Sequence, residues 1–150
     1  LRGTYKMLHL PDGLSQDSLH MLMTCEPQIK EIGDLISRTD VLLFGIGTAM
    51  RMADQRHIAD DVRKQLIDNH AVGEALGQYC DIEGKLIYST NNIGLSLPDV
   101  VKVPNVIAVA GGQEKASAII GVMRACQKGI LIIDEQAAEG MRQLLQISAL

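Results

Sequence analysis

The chain reads as an α/β fold, a mostly parallel sheet with helices on both faces and one inserted β-hairpin. Three runs carry that reading: VLLFGIG at 41–47, NVIAVA at 105–110 and ILIID at 130–134. Each is apolar without alternation, the mark of a strand buried on both faces of a parallel sheet. After each run, in order, comes a helical pattern, the βα alternation that builds such sheets.

Taken from the start, TYKMLHL at 4–10 alternates loosely and meets the turn residues Pro11-Asp12-Gly13, which predicts a short strand. Ser15 can cap a helix over 16–24. Glu26-Pro27 opens a second helix, where Ile29, Ile32, Leu35 and Ile36 fall at helical spacing. After VLLFGIG, a glycine turn at Gly45-Ile46-Gly47-Thr48 leads into AMRMADQR, and 59–70 forms another helix. The stretches 72–80 and 85–89 flank Asp81-Ile82-Glu83-Gly84 and predict the hairpin. Leu97-Pro98-Asp99 starts a short helix that Pro104 ends. The strand 105–110 then passes through Gly111-Gly112 into a helix over 113–126, and Gly129 leads to the third strand and a last helix from Glu135.

Composition narrows the function. With 150 residues the chain is one domain able to bury a real core, and its single Phe and absent Trp make that core aliphatic. So few rings argue against stacking single-stranded nucleic acid. A net charge of −4 with no basic run makes a poor DNA-binding surface. Cys25, Cys80 and Cys126 lie far apart, without zinc spacing, and suggest reduced thiols in a cytoplasmic protein. No run is long enough to span a membrane. The chain begins at Leu1, which suggests an excised domain.

Open parallel sheets bind ligands at the carboxyl ends of their strands. Those ends hold Gly47, Gly112 with Lys115, and Asp134. A strand-to-helix glycine turn beside a lysine suits a phosphate, although an ordinary turn with a solvated lysine fits a lone Gly-Gly as well. Gly45 and Gly47 allow either tight packing or close ligand approach, and no dinucleotide or nucleotide-triphosphate motif is present. Glu74 sits in an apolar stretch, either as a ligand-facing carboxylate or as a charge on the wet face of the hairpin. Arg51 and Arg56, five apart, do not share a helical face well, and one of them is a possible phosphate ligand. His9, His20, His57 and His70 lack metal spacing, no cofactor motif is present, and no Ser/His/Asp or Cys/His arrangement names a catalytic residue.

Several stretches together resemble the effector-binding domain of SorC-type bacterial transcriptional regulators. They are YKMLHLPDG at 5–13, Glu26-Pro27, FGIGTAMRMADQR at 44–56, AVGEALGQY at 71–79, Gly94–Asp99, VAGGQEKA at 109–116 and IDEQAA at 133–138. The resemblance implies a fold of the glucosamine-phosphate deaminase and ribose-phosphate isomerase type that has lost catalysis and serves as a sensor. The implied ligand is a phosphorylated sugar, fructose-1,6-bisphosphate in the glycolytic members. Operator DNA is held by a helix-turn-helix domain, and the proteins are homo-oligomers, dimers or tetramers. Carried over by position, Lys115 and Arg56 meet phosphate, Glu74 meets sugar hydroxyls, Gly47 and Gly112 are the strand-end glycines, and Asp134 joins them. Gln55 departs from the family pattern, where a basic residue stands. The family's glycine/threonine-rich phosphate loop and its helix-turn-helix domain are expected outside this chain. The rival readings are a sugar-phosphate isomerase or deaminase on the same fold, and an oligomerisation domain without ligand.

Overall fold

The computed structural model describes residues 3–11 and 13–146. Helices α1 (Gln16–Cys25) and α2 (Pro27–Ile36) precede the first strand and pack against each other. Ser15 caps α1 by accepting a hydrogen bond from the Ser18 amide, and Pro27 starts α2, both as the sequence predicts. Strand β1 (Val41–Gly45) is followed by a short β2 (Gly47–Thr48), α3 (Ala49–Gln55) and α4 (Asp60–Asp68). Three antiparallel strands come next: β3 (Gly73–Ala75), β4 (Gln78–Cys80) and β5 (Leu86–Ser89). A 3₁₀ turn (Pro98–Lys102) leads to β6 (Asn105–Ala110), a second 3₁₀ turn (Gln113–Lys115), α5 (Ala116–Cys126), β7 (Ile130–Ile133) and α6 (Glu135–Leu144).

The elements build two sheets. Strands β1, β6 and β7 pair in parallel, with β6 central. Strands β2, β3, β4 and β5 form an antiparallel sheet in that order. Helix α5 is the common core element, burying Ala118, Ile119 and Val122 against residues of both sheets. The Ile119 and Val122 side chains each contribute roughly 1.5–3 kcal/mol of burial. The approach is close enough that a Cβ on Gly73 of β3 would lie 2.7 Å from the Ala118 carbonyl oxygen.

The fold class is the expected one, with three differences. Residues 4–10 form no strand: Tyr5 is 86% exposed, and no strand pairs with this segment among the described residues. The stretch 72–80 is two strands, because Leu76 and Gly77 take positive φ values of 55° and 78° and reverse the chain. The parallel sheet is packed on one face only among the described residues. Phe44, Val106, Ala108 and Ala110 are buried, while Val41, Leu43, Val109, Ile130 and Ile132 on the opposite face are exposed. The turn at Pro11–Gly13 includes Asp12, which lies outside the described residues. No helix of the described residues is long and apolar enough to cross a membrane.

Candidate functional site

A cavity of about 430 Å³ opens where the two sheets meet. The end of β1 supplies Phe44 and Gly45, followed by Ile46 and Gly47. Helix α3 and its C-cap supply Arg51, Met52, Gln55 and Arg56, and the β3 region supplies Glu74 and Leu76. Val109 and Lys115 close the side formed by β6 and its turn.

Glu74 anchors this cavity. Its residue is 3% exposed, so its carboxylate needs partners. Oε1 accepts the Gly77 amide at 2.7 Å and Arg56 Nη2 at 3.2 Å. Burial still holds the carboxyl above its ordinary range, against the Arg56 charge and the Gly77 and Arg56 hydrogen bonds. The wet-face reading of Glu74 is thereby overturned. Tight local geometry places the group: β3 pairs Glu74 with Gly47 of β2, and the Leu76-Gly77 turn folds the Gly77 amide back onto it. A Cβ on Gly47 would lie 2.5 Å from Met52 Cγ and 3.9 Å from Glu74 Oε2, so this glycine serves packing and leaves room beside the carboxylate.

Three cations line the cavity: Arg51, Arg56 and Lys115. Arg56 is tied to Glu74, whereas Arg51 and Lys115 make no ion pair among the described residues. The helical spacing rule set Arg51 and Arg56 apart, but α3 ends at Gln55. Arg56 is its C-cap at φ −90° and ψ 1°, so its side chain leaves the helix and reaches the same cavity as Arg51. No local signal in the sequence marks that bend.

The six candidate residues divide. Gly47, Arg56, Glu74 and Lys115 line the cavity; Gly112 and Asp134 do not. Those two bond to each other at the neighbouring turn, where the Gly112 amide donates to Asp134 Oδ2 at 2.9 Å. Phe44, Met52, Leu76 and Val109 are lining residues the sequence did not single out. The cavity holds one carboxylate and no histidine, so the acid–base pair an isomerase needs is not assembled there among the described residues. No group of three or more His, Cys, Asp or Glu among the described residues could hold a metal ion. Cys80 and Cys126 are buried thiols pushed up to about 12 and about 11, mainly by burial, and stay protonated and unreactive.

The cavity thus sets Arg51, Arg56 and Lys115 beside a buried, hydrogen-bonded carboxylate. Residues 1–143 match the family described as "Putative sugar-binding domain", and the chain belongs to that family. Particular relatives include the central glycolytic genes regulator of Bacillus subtilis, 36% identical over 137 residues, which cover 91% of this chain and 40% of that protein. The protein of the same name from Priestia megaterium is 38% identical over 135 residues, 90% of this chain and 39% of its own length. A crystal structure described as a putative SorC family transcriptional regulator from Enterococcus faecalis superposes with a TM-score of 0.84 at 38% identity. That match covers 93% of this chain and 56% of the other. The chain thus spans about 40% of the length of the curated relatives it matches. These relatives are named as regulators of transcription, not as enzymes.

Proposed function

We propose that this domain is the effector sensor of a transcriptional repressor and that its effector is a phosphorylated sugar. The observation that carries the reading is the single cavity that sets Arg51 and Lys115 beside the buried Glu74. The two cations take phosphate, Arg51 through its planar fork and Lys115 as a point charge. Glu74 accepts hydroxyl hydrogens. Both of its hydrogen bonds fall on Oε1, and Oε2 lies on the Gly47 side of the cavity. Arg56 opposes the effect of burial on that carboxylate and is itself on the wall a phosphate would meet. Gln55, where the family pattern has a basic residue, gives the wall a neutral donor and acceptor instead.

Fructose-1,6-bisphosphate is the first effector to test, on the strength of the likeness to the glycolytic regulators. In the whole protein, operator DNA is held by a helix-turn-helix domain outside this chain, in a cytoplasmic homo-oligomer. The sugar phosphate acts by binding one state of that oligomer more tightly than another; equal binding would shift nothing. Thermal shift of the full-length protein with fructose-1,6-bisphosphate, sugar monophosphates and inorganic phosphate tests the reading. Stabilisation by a sugar phosphate is expected, and its absence with every compound would sink the idea. Replacing Lys115 with Ala removes a charge-assisted bond of about 1.5–3 kcal/mol, which is roughly 10- to 100-fold in affinity. The loss should appear for phosphorylated ligands and not for the parent sugars.

A further inference from the structure

The geometry points to Asp134 as a positioning residue: its carboxylate fills the donor site of the Gly111–Gly112 turn and so sets where Lys115 stands in the cavity. This inference rests on the proposed role of Lys115 as a phosphate ligand. A free glycine turn ahead of a helix would offer its amides to an incoming anion. Here the anion is internal. The Gly112 amide donates to Asp134 Oδ1 at 3.1 Å and to Oδ2 at 2.9 Å, and the Ala137 amide donates to Oδ1 at 2.8 Å. One carboxylate therefore ties the end of β6 to the first turn of α6.

The turn is shaped around that carboxylate. A Cβ at Gly111 would stand 2.7 Å from Asp134 Oδ2, so residue 111 has no side chain because the aspartate occupies its space. Gly112 sits at φ 96°, and a Cβ there would come 2.5 Å from Glu114 Oε2. Two carboxylates thus border the turn, and an external phosphate meets like charge there. The hydrogen bonds from Ala137 and Gly112 hold the Asp134 carboxyl below its ordinary range, with a smaller contribution from the Lys115 charge, so it is ionised at neutral pH.

The link to Lys115 is short. The Lys115 amide donates to the Gly112 carbonyl oxygen at 3.1 Å, closing a 3₁₀ turn. Midway along α6, a Cβ on Gly140 would lie 2.9 Å from Ala116 Cβ and 3.1 Å from the Gln113 carbonyl oxygen. Helix α6 therefore clamps the turn at two points, through Asp134 and through Gly140. Lys115 lines the cavity while Gly112 and Asp134 do not, so the aspartate acts on a ligand through the lysine.

The first test needs no ligand. Amide resonances of Gly112 and Lys115 are followed by NMR as the protein is acidified. Both should titrate together, with a midpoint below the ordinary aspartate value, and both responses should vanish in Asp134→Asn. The titration is repeated in Glu114→Gln to remove the other carboxylate over the turn. A Gly112 amide that ignores Asp134, or that moves without Lys115, overturns the proposal. The second test is a double-mutant cycle read by fructose-1,6-bisphosphate affinity. Asp134→Asn should weaken binding about tenfold in the parent and hardly at all in Lys115→Ala, since coupled residues are not additive. Independent, multiplying losses would make Asp134 a direct ligand and overturn it. If the parent protein binds no sugar phosphate, the sensor reading fails, and the amide titration alone decides whether Asp134 governs the turn.

Discussion

Glu74 carries a desolvation cost that its two hydrogen bonds only partly offset, and that cost has a sign in pH. Its folded-state carboxyl lies above the ordinary value of 4.5, chiefly because it is buried. The folded chain therefore keeps this proton to higher pH than the unfolded chain does. Stability falls as pH rises from 4.5 through the folded value and stays reduced above it. Denaturation of the parent and of Glu74→Gln from about pH 4 to pH 7 checks this. The difference between them should move in favour of the variant as pH rises, and a difference that is flat in pH would refute it. Residue identity alone left Glu74 ambiguous, because a charge in a short apolar strand suits a wet edge as well as a pocket. What resolves it is the pairing with Arg56, 18 positions away in the chain, and the Gly77 amide beneath it.

At the scale of elements, α3 and α4 end alike. In each, a histidine occupies the left-handed position that glycine usually takes, His57 at φ 49° and His70 at φ 54°. The Ile58 amide returns to the Ala53 carbonyl oxygen at 3.0 Å, and the Ala71 amide returns to that of Leu66 at 2.9 Å. A side chain at such a position costs about 1–2 kcal/mol, partly offset by the greater unfolded-state freedom of glycine. Replacing the exposed His70 with Gly should therefore stabilise the protein by roughly 0.5–1 kcal/mol in urea titration. The same scale shows which elements were legible. Helix starts at Ser15 and Pro27 depend on the residues at the cap, so they could be read directly. The strand expected over 4–10 depended on a partner, and alternation by itself supplies none. The break at Leu76 was hidden because leucine seldom takes a left-handed turn, so a Leu-Gly reversal looks like strand.

The whole molecule is organised by α5, which serves both sheets, and by the unequal faces of the parallel sheet. Leu43, Ile107 and Ile130 lie in one row across β1, β6 and β7 on the less buried face, and Phe44 faces the core. Neighbours in sequence should then differ sharply in cost. Phe44→Ala should lose about 3–5 kcal/mol, and Leu43→Thr should stay within about 0.5 kcal/mol, by chemical denaturation of this chain. The three continuous apolar runs predicted strands with both faces covered, and that signal cannot say which face the described residues pack. Short-range information was enough for the α/β class, the strand-end glycine turns and the approximate helix boundaries, because periodicity, caps and turns act within a few residues. Only the tertiary structure brought Gly47 opposite Glu74, turned Arg56 into the cavity beside Arg51, and placed the Asp134 carboxylate on the Gly112 amide. Gly47 with Glu74 and Gly112 with Asp134 join positions far apart in the chain, and Arg56 meets Arg51 at one cavity only because α3 ends before it and the two sheets pack around that end, which no local pattern encodes.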